Sequence, residues 1–373
     1  MKQKLLIIYN QEPFSIRDGV TAALNSLMNL MITIYIEVDL FIVDDNKIYR
    51  DVNIDSNNYN IRSINPEGIK FNTYSIIVVS PITSFMKIKK FLPKSRKFKL
   101  ITQISDCIVY ELWVSFLLSL KFRNLKLSSL LKTPYYLYYE FIVNRESDVV
   151  ILQTERDVDI FNSLYSSKKG ISIPNIVLKK PIKLKKVEEK NMYIGWCATF
   201  KGDYFYLAKW FCQNVIVPFM GKNEYVKISF LGSGNIEFVE YIKNKFPEFS
   251  ERFISNNFVE DIQQYYASHM LIVSPIYKGY GLINKTIDAM SSGKIVLGDK
   301  TAFNGISGIS NEVNCLIAES PDDFIQSLEK VFNNFSKNDI FNMGNKASQL
   351  ISGQFSLEKN IKKIRQVLKE INT

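Results

Sequence analysis

The sequence has one histidine and four cysteines in 373 residues. Cys107, Cys197, Cys212 and Cys315 stand far apart with no C-x-x-C pair, which argues against a zinc site or a disulfide scaffold and fits a reducing cytosol. His269 precedes an apolar strand and reads as structural. Long apolar runs are missing as well. The start, MKQKLLIIYNQEPF, has charge and a short apolar run, but Asn10, Gln11 and Glu12 end it before the apolar core of a signal peptide would be complete. The uncharged stretch from Gly19 to Ile36 is broken by Thr21, Asn25, Ser26, Asn29 and Thr33. It falls short of the roughly 20 predominantly apolar residues that a spanning helix needs. Glycine and proline number only 16 and 11, and no fixed-period repeat stands out, which excludes collagen-like and low-complexity chains, solenoids and propellers. Acid is in deficit: 37 Asp and Glu against 47 Lys and Arg leave a net charge of +10 and a pI near 9.1. That balance favours an anionic partner, which nucleic acid, anionic lipid or a phosphorylated substrate would each satisfy.

What is present fits a globular protein of two domains, with 46% hydrophobic and 23% charged residues over a length too great for one ordinary core. In the first half, Leu5–Tyr9, Ile34–Val43, Ser75–Ser80, Leu100–Ile104 and Val149–Gln153 read as strands, rich in Ile and Val, with helical patterns between them. Such runs predict a parallel sheet buried on both faces. The Lys- and Glu-dense stretch at 179–191 reads as a linker between an N-terminal domain, 1–178, and a C-terminal domain, 192–354. The second domain repeats the alternation: strand Met192–Ala198, helix Tyr204–Met220, strand Val226–Leu231, short strand Phe253–Ile254, helix Ile262–Ser268, strand Met270–Ser274, helix Leu282–Ser292 and strand Ile295–Gly298. Residues 355–373 read as a closing basic amphipathic helix that docks on the protein, with Leu357, Ile361, Ile364, Val367 and Leu368 on one side. The expected fold is α/β: two Rossmann-like doubly wound domains facing each other, with the ligand at the carboxyl ends of their strands.

The most informative window runs from Ser274 to Gly293. A strand ends, Gly279 and Gly281 make a loop, and a helix starts. Glycines let the backbone approach a ligand closely, while the free N–H groups and positive end of the helix favour phosphate. Lys285 on the first turn adds a cation, and Asp288 on the same face suits ribose hydroxyls. A strand–glycine–helix junction of this kind also arises for packing alone.

The surrounding sequence resembles the retaining glycosyltransferases of the group 1 family, whose GT-B fold has two Rossmann-like domains. The family pattern G-x-G-x-x-x-K-x-x-E-A-M meets Gly279, Gly281, Lys285, Asp288, Ala289 and Met290. Ser255 through Tyr266, with Phe258 and Val259, is similar to the loop that cups the nucleotide base, with Asn257 where glycine is common. Tyr193 through Thr199, Lys209-Trp210-Phe211, Pro218 and Phe230 through Gly234 resemble the start of the family's second domain. Gln153 through Asp157 and Ile173-Pro174-Asn175 resemble the end of its first. The resemblance implies a donor site made by Gly19, Val20, Thr199, Lys201, Phe258, Val259, Gly279, Tyr280, Gly281, Leu282, Ile283 and Asp288, with Lys285 and Asp106 as catalytic candidates.

Departures from the pattern are visible. Lys278 stands where relatives often carry an acid, and the second acid is shortened to Asp288. Relatives also place a histidine near the sugar in the first domain, and here Asp106 is the candidate, to orient the donor sugar or the acceptor hydroxyl or simply to cap a helix in Ser105-Asp106. Gly19-Val20 either turns its backbone to the donor phosphates or makes an ordinary strand–helix turn.

The implied function is transfer of a sugar from a nucleotide-sugar to a cell-surface glycan (lipopolysaccharide, capsule or exopolysaccharide) or related acceptor, with retention and with no cofactor or metal. Rival readings are a GT-B partner subunit with impaired catalysis and a basic nucleic-acid-binding protein; no RNA-recognition or helix-turn-helix signature supports the latter. Two basic–aromatic zones, Met86–Lys99 and Trp113–Tyr139, suit either an anionic membrane surface or two solvated helix faces; the expected location is the cytoplasm, with peripheral attachment at the inner face of the membrane under the first reading.

Overall fold

A computed structural model of the chain describes residues 4–11, 19–35, 37–43, 60–61, 69–121, 127–177, 193–257, 259, 261–277 and 281–372. The chain divides into two compact units, Met1–Ile176 with Tyr280–Leu282 and Leu357–Thr373, and Val177–Gly279 with Ile283–Ser356. The expected linker, 179–191, lies outside the described residues.

The first unit is built on a seven-stranded sheet of β1 (Lys4–Tyr9), β2 (Glu37–Ile42), β3 (Asn60–Ile61), β4 (Ile76–Val79), β5 (Lys99–Ser105), β6 (Val149–Leu152) and β7 (Gly170–Ser172). All pairs are parallel, in the order β3-β2-β1-β4-β5-β6-β7. Leu5 to Tyr9 and Ile76 to Val79 are buried without alternation, because helices cover both faces of a parallel sheet. The strand expected over Ile34–Val43 is shorter than its apolar run. Helix Gly19–Ile34 claims Ile34, and β2 begins at Glu37. Nothing in an uncharged stretch marks where period 3.6 gives way to period 2.

The second unit carries a six-stranded parallel sheet of β8 (Tyr193–Cys197), β9 (Lys227–Leu231), β10 (Phe253–Asn256), β11 (Leu271–Ser274), β12 (Ile295–Gly298) and β13 (Leu316–Ile317), in the order β10-β9-β8-β11-β12-β13. Both sheets thus follow the 3-2-1-4-5-6 Rossmann order, and the two-domain α/β expectation stands. In each sheet the direction of succession reverses at the centre, between β1 and β4 and between β8 and β11. The carboxyl ends of those strands open the crevice where such sheets bind ligands.

The helix expected over Tyr204–Met220 is helical at Asp203–Phe211, widens to a π turn at Cys212–Ile216 and resumes at Val217–Lys222. Pro218 has no N–H for the carbonyl four residues back and its ring crowds that carbonyl, so the widened turn precedes it. The closing helix, Leu357–Asn372, buries Ile364, Val367 and Leu368 among Leu24, Leu27 and other side chains of the first unit. Each fully buried aliphatic side chain contributes about 1.5–3 kcal/mol. The docking of this helix is therefore hydrophobic, and the exposed Lys363–Glu155 pair at 2.8 Å adds little.

Candidate active site

The loops leaving the central strands of the second sheet are knitted together by backbone contacts. Ala198 N donates to Leu231 O at 2.9 Å and Phe200 N to Ser233 O at 2.8 Å, which ties the turn after β8 to the turn after β9. Gly232 has φ +125°, and a Cβ there would collide with Ala198 O. Glycine is required at this crossing on both counts. Phe200 is buried against Phe230 and Phe238, which anchors the loop and leaves Thr199 and Lys201 exposed on either side of it. The stem of Lys201 lies over Gly234, where a Cβ would meet its Cγ at 2.5 Å.

After β10, Asn256 donates to Ser229 Oγ at 2.6 Å and its own carbonyl accepts from Asn235 at 2.6 Å. Asp261 caps helix Ile262–Ala267 by accepting from Gln263 N at 3.0 Å. Val259 is half-buried between them; Phe258 lies outside the described residues. Tyr265 locks this region to the sheet, its hydroxyl donating to Ser229 O at 2.8 Å and accepting from Trp196 N at 3.1 Å.

After β11, buried Asp299 gathers the loop: its Oδ1 accepts from Ile276 N at 2.6 Å and Tyr277 N at 3.2 Å. Gly279 and Tyr280 lie outside the described residues. Gly281 has φ +72°, Leu282 is buried, Ile283 is half-buried, and the helix runs Asn284–Ser291, two residues later than its spacing implied. Lys285 is exposed on its first turn and Asp288 is half-buried. Ser274 Oγ and Thr286 Oγ1, 2.9 Å apart, fasten the helix to β11.

Cys197, the last residue of β8, senses both of these helix charges. Burial pushes its thiol pKa up, with Lys285 opposing and Asp288 adding to the rise. Lys285 and Asp288 therefore act electrostatically on the end of β8, at the reversal between β8 and β11. Asp299 carries no local signal in the sequence because its partners are distant in the chain, and Cys197 stands out there only as one of four scattered cysteines, whereas Tyr265 lies in the quoted base-loop stretch. Tyr266, which lies in the quoted base-loop stretch, also reaches the helix, its hydroxyl donating to Lys285 O at 3.4 Å.

His269 is a packing residue. Its Nδ1 lies 2.5 Å from Tyr265 O, burial holds its pKa down to about 4, and its ring fills the space over Gly195. Buried Lys294 donates to His269 O at 2.8 Å and Ala267 O at 3.0 Å and fixes the same corner.

In the first unit, Gly19 and Val20 open helix Gly19–Ile34. Asp106 follows β5, whose register shifts between Gln103 and Ser105, and Ser105 takes the left-handed conformation at φ 60°. A bulge and a left-handed non-glycine residue re-aim the chain at strand ends and recur at functional sites. Asp106 Oδ1 is buried without a hydrogen-bond partner, and burial, then Asp157 and Glu111, push its carboxyl up to about 7. Within this same unit, Gly281 stands so close that a Cβ on it would run into Asp106 Oδ1. Among the described residues, no group of three or more His, Cys, Asp or Glu side chains could hold a metal ion.

Residues 193–334, from β8 through the helix Pro321–Glu329, match the family model described as Glycosyl transferases group 1. Apart from Tyr280–Leu282, the match lies within the second unit, which resembles this family. The fold of the whole chain is similar to that of sucrose-phosphate synthase from Thermosynechococcus elongatus, at TM-score 0.74 and 13% identity over 99% of both chains. It is similar also to Anabaena Alr3699/HepE in complex with UDP and glucose, at TM-score 0.64 and 13% identity over 98% of this chain and 99% of that one. A third likeness is to a point mutant of S. aureus TarM in complex with fondaparinux, alpha-GlcNAc-glycerol and UDP. That match has TM-score 0.60 and 17% identity over 82% of this chain and 57% of that one. No curated protein matches the sequence.

Proposed function

We propose that the chain is a glycosyltransferase that moves a hexose from a nucleotide-sugar to a cell-surface glycan or related acceptor, with retention of anomeric configuration. The observation that carries the reading is the helix Asn284–Ser291, fastened to β11 through Ser274 and Thr286 where the order of the second sheet reverses, with exposed Lys285 on its first turn and Asp288 one turn on. HepE, of the same fold, is captured with UDP and glucose, and TarM with UDP and alpha-GlcNAc-glycerol.

Breaking the sugar–phosphate bond leaves the bonding electrons on the diphosphate, so the protein must stabilise growing negative charge. Lys285, with the positive end of helix Asn284–Ser291, supplies that stabilisation, and Lys201 adds a second cation after β8. Asp288 accepts from ribose hydroxyls, and the backbone at Gly281, Leu282 and Ile283 lies against the diphosphate. The base rests by Val259. Asp106, whose Oδ1 has no protein partner, receives a hydroxyl of the donor sugar or of the acceptor. The protein's own cations carry the charge compensation in this scheme, and chelator is expected to leave turnover unchanged.

The test is a thermal-shift screen of the full chain against UDP, GDP, dTDP, CMP and their sugar conjugates, with duplex DNA and RNA as controls. A ligand of the native state raises the melting temperature. A shift with one nucleotide family, abolished in Lys285→Ala, is the expected result, followed by NMR of the product's anomeric configuration. No shift from any nucleotide, with a clear one from nucleic acid, would overturn the reading.

A further inference from the structure

Sixteen large hydrophobic side chains are exposed among the described residues, and eight of them lie on just two helices, Ile108–Lys121 and Leu127–Glu146, which pack against each other. This concentration is a patch and not the scatter usual on a soluble surface. Leu127, Leu131, Tyr135 and Tyr138 follow one another at four- and three-residue steps and form a single stripe, flanked by Phe141. Leu131 is 80% exposed. On the neighbouring helix Trp113 and Leu117, one turn apart, add to the apolar surface.

Charge identifies the occupant. From Leu112 to Tyr139 the sequence contains Lys121, Arg123, Lys126 and Lys132 and no acid. Helix Ile82–Ile88, which packs on Leu127–Glu146, leads into the run Lys87 to Lys99, with seven cations and no acid. The acids of the second helix are turned to other work. Glu140 is buried and accepts from Val109 N at 3.1 Å and the Tyr165 hydroxyl at 2.8 Å, and Glu146 is paired with Arg145 at 2.8 Å. Protein interfaces deplete lysine, and stacking on single-stranded nucleic acid makes no use of Leu127 and Leu131. Leucine with tyrosine and tryptophan beside lysine suits the boundary between anionic headgroups and acyl chains. No helix among the described residues is long and apolar enough to cross a membrane.

We propose that the paired helices Ile108–Lys121 and Leu127–Glu146 form a docking surface for an anionic lipid bilayer, with the Leu131–Tyr138 stripe entering the boundary region and Lys132 with the cations of the Lys87–Lys99 run serving the headgroups. The proposal does not rest on the donor assignment, and its readout is separate from nucleotide binding.

The experiment is flotation of the full chain with vesicles of phosphatidylcholine alone and mixed with phosphatidylglycerol. Binding to the mixed vesicles, weakened by salt and small on the neutral ones, is the expected result. The double variant Leu131→Asp/Tyr138→Asp should lose binding by about tenfold or more while its melting temperature and its nucleotide-induced shift stay those of wild type. Because both side chains are exposed, folding is not at stake; Leu131→Ser/Tyr138→Ser serves as a milder second variant. In the unmodified stripe, mixed vesicles should blue-shift tryptophan emission, and Trp113→Phe should remove that shift. Wild-type protein that binds neither vesicle, or an Asp variant that binds as well as wild type, would overturn the proposal. So would a wild-type dimer that the Asp variant dissociates in the absence of any lipid binding, which would assign the stripe to a second copy of the chain.

Discussion

At the carboxyl ends of the first sheet, Asn10 Oδ1, Gln103 Oε1 and Asp106 Oδ1 are buried without hydrogen-bond partners, whereas the corresponding ends of the second sheet carry glycines and two exposed lysines, Lys201 and Lys285. The strand order beneath them is the same. An orphaned buried oxygen costs about 1–3 kcal/mol, a cost relieved by any hydroxyl that comes to it. A glycine turn with a lysine offers the reverse, donors and positive charge for an anion. One scaffold therefore presents an acceptor-rich rim in one unit and a donor-rich rim in the other, and the ligand chemistry belongs to the rim residues and not to the fold. Sugar hydroxyls suit the first rim and a diphosphate the second.

The sharpest way to break that division is to remove the cation. Lys285→Ala is expected to lower turnover by about 10²–10³-fold and to abolish the nucleotide-induced rise in melting temperature, with the unliganded melting temperature unchanged. Asp106→Asn should lower turnover by about 10²-fold and keep the nucleotide-induced rise, because it alters the other rim. If Asp106→Asn loses nucleotide binding as Lys285→Ala does, nucleotide recognition is not confined to the lysine-bearing rim.

Asp106→Asn also carries a pH signature. Burial, then Asp157 and Glu111, raise its carboxyl from the ordinary value to about 7 in the folded state. The folded protein then holds this proton more tightly than the unfolded chain, so stability falls as pH rises from about 4 through 7. Asparagine has no proton to lose. The variant should therefore be more stable than wild type at pH 8, by about 1–2 kcal/mol, and melt higher there, and this advantage should vanish near pH 4. A melting profile that runs parallel to wild type across that range would place the carboxyl's burial in doubt.

The sequence made the donor rim largely readable. Lys285 and Asp288 are local signals on the helix after β11, and the closing helix announces itself by Leu357, Ile361, Ile364 and Leu368 at helical spacing. The acceptor-rich rim was readable only at Asp106. Asn10 and Gln103 gain their meaning only when the sheet brings the ends of β1 and β5 to one side and leaves their oxygens without donors, which no local pattern encodes. Strands β3, β7 and β13 escaped notice because two or three residues hold no period. Cys197 and Asp299 matter through contacts across dozens of residues. The need for glycine at 232 likewise comes from a carbonyl at Ala198, 34 residues earlier.

Glycine substitutions sharpen the contrast between positions that build the donor rim and positions that do not. Gly232→Ala drives a Cβ into Ala198 O at φ +125°, so the backbone must give way, at about 2–3 kcal/mol. The same shift displaces the loop that carries Thr199 and Lys201, and nucleotide affinity should fall with stability. Gly221, in helix Val217–Lys222, has open space around its would-be Cβ. Gly221→Ala should therefore stabilise by about 0.5–1 kcal/mol, chiefly by narrowing the unfolded ensemble, and leave nucleotide affinity unchanged. Denaturant titration of the two variants, each repeated with saturating nucleotide, separates the cases: a wider gap between liganded and free stability in Gly221→Ala than in Gly232→Ala marks the turn after β9 as part of the rim. Equal gaps would reduce Gly232 to a packing residue.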